Sequence, residues 1–331
     1  MAQNEYLLEV KDLSVEYRVY EGTVKAVSNL NIKVGKREVI GLVGESGAGK
    51  TTTALSILDL VPSPPGVITS GEILFQGKNI LNMRKKEIHE LRGNRISMIF
   101  QNPMTSLNPL YTVGEQITRV IKEHEKIDTD KAVEKAKKMM EIVGISRERF
   151  KNYPHEFSGG MKQRVCIAIG LACNPSLLIA DEPTTALDVT IQAQILMLMK
   201  NLKEEFETSI IFITHDLGII AEMADYVVVM YSGSAVEEGS VKELFTNAKH
   251  PYTRGLFECL PNLKTKEKRL KLMEGNMPDP MNLPKGCKFY NRCKYKTDAC
   301  LKWNPSATKI SEDHYVSCLM CENAFQEGAG K

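Results

Sequence analysis

Short apolar runs alternate with amphipathic, charge-rich stretches from residue 6 to about residue 246. Glu38–Val43 is a compact apolar run entering a glycine-rich turn, and a helix is predicted from about Gly49 to Leu60, stopped by the Pro62–Gly66 cluster. Gly71–Gln76 and Arg95–Phe100 read as further strands. From Thr112 to Leu171 the pattern is mostly helical and lysine-rich, as in Lys131–Val143. Strand-like runs return at Leu177–Ala180, Ser209–Thr214 and Tyr226–Met230. This alternation predicts an α/β core carrying a helical insertion at about residues 104–172. Beyond residue 247 the texture changes to prolines, a basic stretch at Lys264–Lys271 and crowded cysteines, so residues 247–331 are expected to form a separate extension after a main domain of residues 1–246.

Composition narrows the class. The chain has 331 residues, enough for a large core, with 43 Lys+Arg against 41 Asp+Glu. A net charge of +2 argues against a dedicated nucleic-acid binder. The longest helical-type run without charge, Val165–Ala180, is interrupted by Asn174-Pro175 and is shorter than the ~20 residues a membrane span requires. The opening MAQNEYLLEV has neither the basic region nor the apolar stretch of a secretory signal. Any membrane role is therefore expected to run through partner subunits.

Gly44, Glu45, Ser46, Gly47, Ala48, Gly49, Lys50 and Thr51 fit the phosphate-binding loop, set between an apolar strand and a helix. Glycines at these places let backbone N–H groups turn toward phosphate oxygens, and the helix amino terminus adds its positive dipole end. Lys50 would meet the phosphates, and the Thr51 hydroxyl would hold Mg²⁺.

Several later features bear on which kind of nucleotide enzyme this is. Leu177–Asp181 is a strand ending in Asp181-Glu182; Asp181 suits Mg²⁺, and Glu182 suits proton abstraction from an attacking water. Alone, such a strand end equally well caps a turn. Ser158, Gly159 and Gly160 open an apolar helix with a good N-cap and bare amides, which by themselves need no ligand. Gln101 and His215 each follow a strand, positions from which an amide could meet metal or water and an imidazole could donate to a γ-phosphate.

Taken in order, Gly44–Thr51, Gln101, Ser158–Gln163, Asp181-Glu182, Ala186-Leu187-Asp188 and His215 resemble the nucleotide-binding subunit of an ABC transporter. The resemblance implies a P-loop NTPase core with an antiparallel β-subdomain and a helical subdomain. It implies ATP and Mg²⁺ as ligands, with Tyr17, 33 residues before Lys50, stacking on adenine and Thr52 joining the phosphate loop. Glu182 is then the general base, and Ser158, Gly159, Gly160 and Asp188 act on the ATP held by a second ATPase subunit. Gln101 would also ligate Mg²⁺. The commonest signature reads Gly-Gly-Gln; here Met161 follows Gly159-Gly160, and the phosphate contact is expected to survive.

The wording of Phe100–Pro109, Phe157–Arg164, Ala180–Val189 and His250-Pro-Tyr-Thr253 is similar to the ATPases of dipeptide and oligopeptide importers. That branch implies a sister ATPase in a heterodimer, two transmembrane permease subunits, an extracytoplasmic peptide-binding protein and a place at the cytoplasmic face of the membrane. Nickel and some other small solutes are carried within the same branch. A redox-sensing ABC ATPase uncoupled from transport is the remaining alternative.

Five of eight cysteines fall in the last 45 residues. Without an export signal a metal site is the preferred reading over disulfides. Cys287, Cys293, Cys300 and Cys318 offer four thiolates, which suit zinc or an iron–sulfur cluster. Cys321 forms a Cys-x-x-Cys pair with Cys318 and competes as the fourth ligand. The resemblance to the peptide-importer branch implies a [4Fe-4S] cluster, zinc being the alternative, and its His-x-Val-x-Cys pattern, here His314–Cys318, favours Cys318.

Overall fold

The computed structural model describes residues 6–259 and 273–322; the basic stretch Lys264–Lys271 lies outside them. Its contacts divide the chain into two compact units. One contains Leu8–Lys33, Ile40–Leu74 and the described part of Thr214–Lys331; the other contains Val34–Val39 and Phe75–Ile213.

In the first unit, β1 (Leu8–Val19) and β2 (Gly22–Val34) are joined through Tyr20-Glu21 alone, a connection that only antiparallel neighbours allow. β4 (Gly66–Phe75) lies on the other side of β1, giving the order β2-β1-β4. One face of β1 buries Leu8, Val10, Leu13 and Val15 while the intervening positions are partly or fully exposed. The same unit holds β3 (Val39–Val43), in which every residue is buried. β3 runs parallel to β9 (Tyr226–Tyr231), with Ile40 opposite Tyr226 and Val43 opposite Val229. α1 (Lys50–Ile57) follows the glycine-rich loop, ending earlier than expected because Asp59 takes a left-handed conformation (φ 50°).

The carboxy-terminal residues build onto this sheet. β10 (Ser234–Ser240) pairs antiparallel with β9 and, on its other edge, with β12 (His314–Val316), which pairs with β11 (Thr308–Ser311). Glu237 sits opposite Val316 and Gly239 opposite His314. The extension thus shares a sheet and a compact unit with the strand that feeds the glycine-rich loop. α8 (Leu217–Met223), α9 (Val241–Asn247), α10 (Pro251–Glu258) and the short α11 (Ala299–Lys302) complete the unit.

The second unit is organised on three parallel strands. β6 (Ile96–Ile99) pairs with β7 (Leu177–Asp181), and β7 pairs with β8 (Ser209–Thr214). All of β7 and β8 is buried, which is why both read as continuous apolar runs. β5 (Lys78–Asn79) and α2 (Lys85–Leu91) precede β6. The helical insertion contains α3 (Pro103–Ser106), α4 (Val113–Glu125), α5 (Thr129–Ile142) and α6 (Gly159–Leu171). α4 starts in a capping box: the Glu115 N–H donates to Thr112 Oγ1, and the Thr112 N–H donates to the Glu115 carboxylate. Val113, Ile117 and Ile121 give α4 its buried stripe, and Ala132, Ala136 and Met139 do the same for α5. α7 (Val189–Phe206) leads into β8. No helix among the described residues is long and apolar enough to cross a membrane.

Candidate functional site

Within the first unit, the loop Gly44–Gly49 leaves β3 and enters α1 through backbone shapes that need glycine. Gly49 has φ 99°, and a Cβ there would lie 2.5 Å from the Ala26 carbonyl oxygen. Gly47 has φ 81° and open space where a Cβ would stand, so a ligand can approach the backbone there. Lys50 is buried and folds back on its own loop: its Nζ donates to the carbonyl oxygens of Gly44 at 2.7 Å and Glu45 at 2.9 Å. An ammonium already held at the loop's mouth is ready to exchange those carbonyls for anionic oxygens. Thr51 is exposed at the start of α1. The Tyr17 hydroxyl lies 3.4 Å from Thr52 Oγ1, so the aromatic expected at adenine sits beside the phosphate loop. His215 is exposed at the end of β8, just before Asp216 caps α8 by accepting from the Gly218 and Ile219 N–H groups.

The second unit carries the other sequence-predicted residues. Asp181 is buried at the end of β7. Glu182 follows with a left-handed backbone (φ 45°), unusual for a residue with a Cβ and a sign of a turn built for a purpose. The Gln101 amide donates to Glu182 Oε2 at 2.8 Å, and the Thr185 hydroxyl donates to the same oxygen at 2.8 Å. Ser158 caps α6 by accepting from the Met161 N–H at 3.4 Å; Gly159 is exposed and Gly160 is buried, with Ile191 where a Cβ would point. Met161 rests against Arg149, whose Nη1 lies 3.2 Å from Met161 Sδ. Asp188 caps α7, accepting from the Ile191 N–H at 2.9 Å.

The cysteines gather in the first unit. Cys287, Cys293, Cys300 and Cys318 line one small cavity, walled also by His250, Phe289, Tyr290, Tyr295 and Trp303. Burial pushes the Cys287 thiol up to about 11, and Cys318, Cys293 and Cys300 add to that push. Cys321 does not line the cavity; its N–H donates to the Cys318 carbonyl at 3.0 Å, and hydrogen bonding from Cys321 draws the Cys318 thiol below its ordinary value. Among the described residues, no three His, Cys, Asp or Glu side chains are gathered to hold a single metal ion.

A buried carboxylate ties the cavity's surroundings to the sheet. Glu237 on β10 accepts from the Lys249 N–H at 2.6 Å, the His250 N–H at 3.0 Å and lies 2.8 Å from His314 Nε2. His250 in turn caps α10, its Nδ1 accepting from the Tyr252 N–H at 3.1 Å. The sequence pattern singles out His250 and His314 but gives no sign of Glu237 as their shared partner.

A strand, a glycine loop closed by its own lysine and a helix, with a second strand ending in Asp-Glu, define a phosphate-loop nucleotide hydrolase. Residues 27–185 match the ABC transporter family and residues 236–300 match the oligopeptide/dipeptide transporter carboxy-terminal region. The chain is 51% identical over 313 residues to the oligopeptide transport ATP-binding protein OppD of Bacillus subtilis, covering 94% of this chain and 87% of that protein. It is 44% identical over 333 residues to the dipeptide transport ATP-binding protein DppD of the same organism, covering 99% of each. Among solved structures, a dimeric post-hydrolysis state of the ATP-binding cassette MJ0796 bound to ADP and Pi superposes with a TM-score of 0.64 at 26% identity, covering 71% of this chain and 98% of that one. This chain belongs to the ABC transporter family of ATP-binding proteins, in the oligopeptide/dipeptide branch. It is an ATPase.

Proposed function

We propose that this chain hydrolyses ATP to drive the uptake of short peptides through membrane permease subunits. The observation that carries this reading is the Gly44–Gly49 loop, held open at Gly47 and closed by Lys50, in a chain related over nearly its full length to oligopeptide and dipeptide transport ATP-binding proteins. Residues 1–246 are assigned to the ATPase and residues 247–331 to the extension.

The residues take the following roles. Lys50 exchanges its carbonyl partners for β- and γ-phosphate oxygens, and the loop amides from Ser46 to Thr52 turn toward the same charge. Thr51 and Asp181, with Gln101, hold Mg²⁺, which neutralises phosphate charge. Glu182 accepts the proton of the attacking water, a contribution of about 10²–10⁴ in rate for a positioned base. His215 donates to the γ-phosphate, and Tyr17 packs on adenine. Ser158, Gly159, Gly160 and Asp188 act on the nucleotide held by a sister ATPase subunit. Closure of that pair on ATP, and reopening after hydrolysis, moves the permeases. The complex comprises the sister subunit, two permease subunits and an extracytoplasmic peptide-binding protein, with this chain on the cytoplasmic face.

In the extension, Cys287, Cys293, Cys300 and Cys318 are assigned as the ligands of a [4Fe-4S] cluster. That all four line one cavity supports a group shared among them, with zinc as the alternative. Four charged thiolates in so apolar a wall need a cation to offset them. When bound, the cluster supplies a covalent cross-link among four points of a segment with a thin core of its own.

Proteoliposomes carrying the permease and sister subunits with this chain, loaded with the binding protein and a labelled tri- or tetrapeptide, test the function. ATP-dependent peptide uptake that disappears with Glu182→Gln is expected. Uptake of nickel but not peptide under the same conditions overturns the cargo assignment.

A further inference from the structure

We propose that Arg292, in the carboxy-terminal extension, is a positioning residue of the nucleotide site and acts through Glu45. The inference rests on the assignment of residues 44–52 to the phosphates.

Glu45 is the second residue of the glycine loop and is held from three directions. Its N–H donates to the Tyr252 hydroxyl at 3.0 Å, its carbonyl accepts from Lys50 Nζ at 2.9 Å, and its carboxylate receives Arg292. Arg292 Nη1 lies 3.1 Å from Oε1 and 3.0 Å from Oε2, and Nε donates to the Glu274 carbonyl at 3.1 Å. The guanidinium stem is buried, with the side chain only 5% exposed. Tyr252 is packed against Tyr231 at 4.6 Å and Phe289 at 5.5 Å between ring centroids, so its hydroxyl is fixed rather than free to follow the loop.

Two consequences follow from this arrangement. The Glu45 amide is held on a Tyr252 hydroxyl that ring packing keeps in place, so less ordering of the loop remains when phosphate binds. The second consequence is electrostatic. A carboxylate one residue from the phosphate cradle repels a polyanion unless a cation covers it, and Arg292 is that cation. The extension, through a residue adjacent to Cys293, thus supplies charge compensation that the loop's own sequence lacks.

The test is binding of ADP and of ATP with Mg²⁺ to the full-length chain, read by a fluorescent nucleotide analogue, with far-UV circular dichroism as the check on folding. Lys50→Ala serves as the control on the site itself. If Lys50→Ala binds as the wild type does, the assignment of the loop has failed; if it abolishes binding, the Arg292 variants test this inference alone. Arg292→Ala is expected to weaken both nucleotides about 5-fold or more, in the usual range for coupled sites, chiefly as a rise in KM for ATP with kcat little changed. The defect should shrink as salt is raised. Adding Glu45→Gln to Arg292→Ala should restore most of the affinity, because the uncovered carboxylate is gone, and Arg292→Lys should lie between. A folded Arg292→Ala protein with unchanged affinity, or a defect that Glu45→Gln does not rescue, overturns the proposal.

Discussion

Gln101 donates its amide to Glu182 Oε2 at 2.8 Å, and Thr185 donates to that same oxygen. One carboxylate oxygen of the assigned base therefore accepts two donors. This pair of donors fixes where the second carboxylate oxygen of Glu182 points. Glu182→Gln keeps the shape but cannot take a proton; it is expected to lower ATP turnover about 10²–10⁴-fold, the range for removal of a general base, while nucleotide affinity is retained. Gln101→Ala removes one donor and one proposed Mg²⁺ ligand but leaves the base, so its loss in kcat should be smaller, with a raised Mg²⁺ requirement. Steady-state ATPase assays over a Mg²⁺ series check both.

The Glu237 carboxylate is buried and takes three donors, from the Lys249 and His250 amides and from His314. Replacing it by Ala leaves those three groups buried without their acceptor. A cost of about 3–5 kcal/mol is expected, as for other broken buried polar pairs. Because β12 meets β10 at Glu237, the loss should be felt first in residues 308–318. Hydrogen exchange resolved along the chain should show faster exchange there than in β7 or β8.

The spacing Cys287, Cys293, Cys300 left both Cys318 and Cys321 as fourth partners. Cys318 lines the cavity, whereas Cys321 does not and donates its N–H to the Cys318 carbonyl. Anaerobic purification is expected to yield about four irons with matching sulfide per chain, the composition of a [4Fe-4S] cluster. Cys287→Ser and Cys318→Ser should each lose the cluster, and Cys321→Ser should retain it. One zinc and no sulfide would replace the cluster reading by a zinc module, without touching the ATPase assignment.

What could be read from the sequence follows burial. β3, β7 and β8 are buried throughout, so their apolar runs stand out, and Ser209–Thr214 has the expected limits. Asp181 and Glu182 were legible for the same reason, since a buried strand that stops at two carboxylates is conspicuous. β1 and β2 bury only part of their side chains and interleave Lys, Asp, Glu and Asn, so no run marks them. β11 and β12 have 4 and 3 residues, too few for any period to emerge. Their place in the sheet is set by β10 and Glu237. The Arg292–Glu45 pair spans 247 residues, and nothing local to either residue announces it. Glu45 reads only as a loop position, and Arg292 only as a neighbour of a cysteine.

His250 supplies a pH dependence whose sign can be worked out. Burial drives its imidazole down to about 3 from an ordinary value of 6.5. The folded protein keeps the ring neutral, with Nδ1 accepting from the Tyr252 amide, whereas the unfolded chain protonates it below about pH 6.5. A depressed folded value means that the unfolded state binds the extra proton between about pH 6.5 and 3. Stability is therefore fully present above pH 6.5 and falls with acid by up to about 1.4 kcal/mol per pH unit from this one group. His250→Asn keeps an acceptor at the helix N-cap and cannot take up the proton. Denaturant unfolding at pH 7.5 and 5.5 should show a wild-type loss on acidification that is smaller in His250→Asn by on the order of 1 kcal/mol. An equal loss in both proteins would place the acid sensitivity elsewhere in the chain.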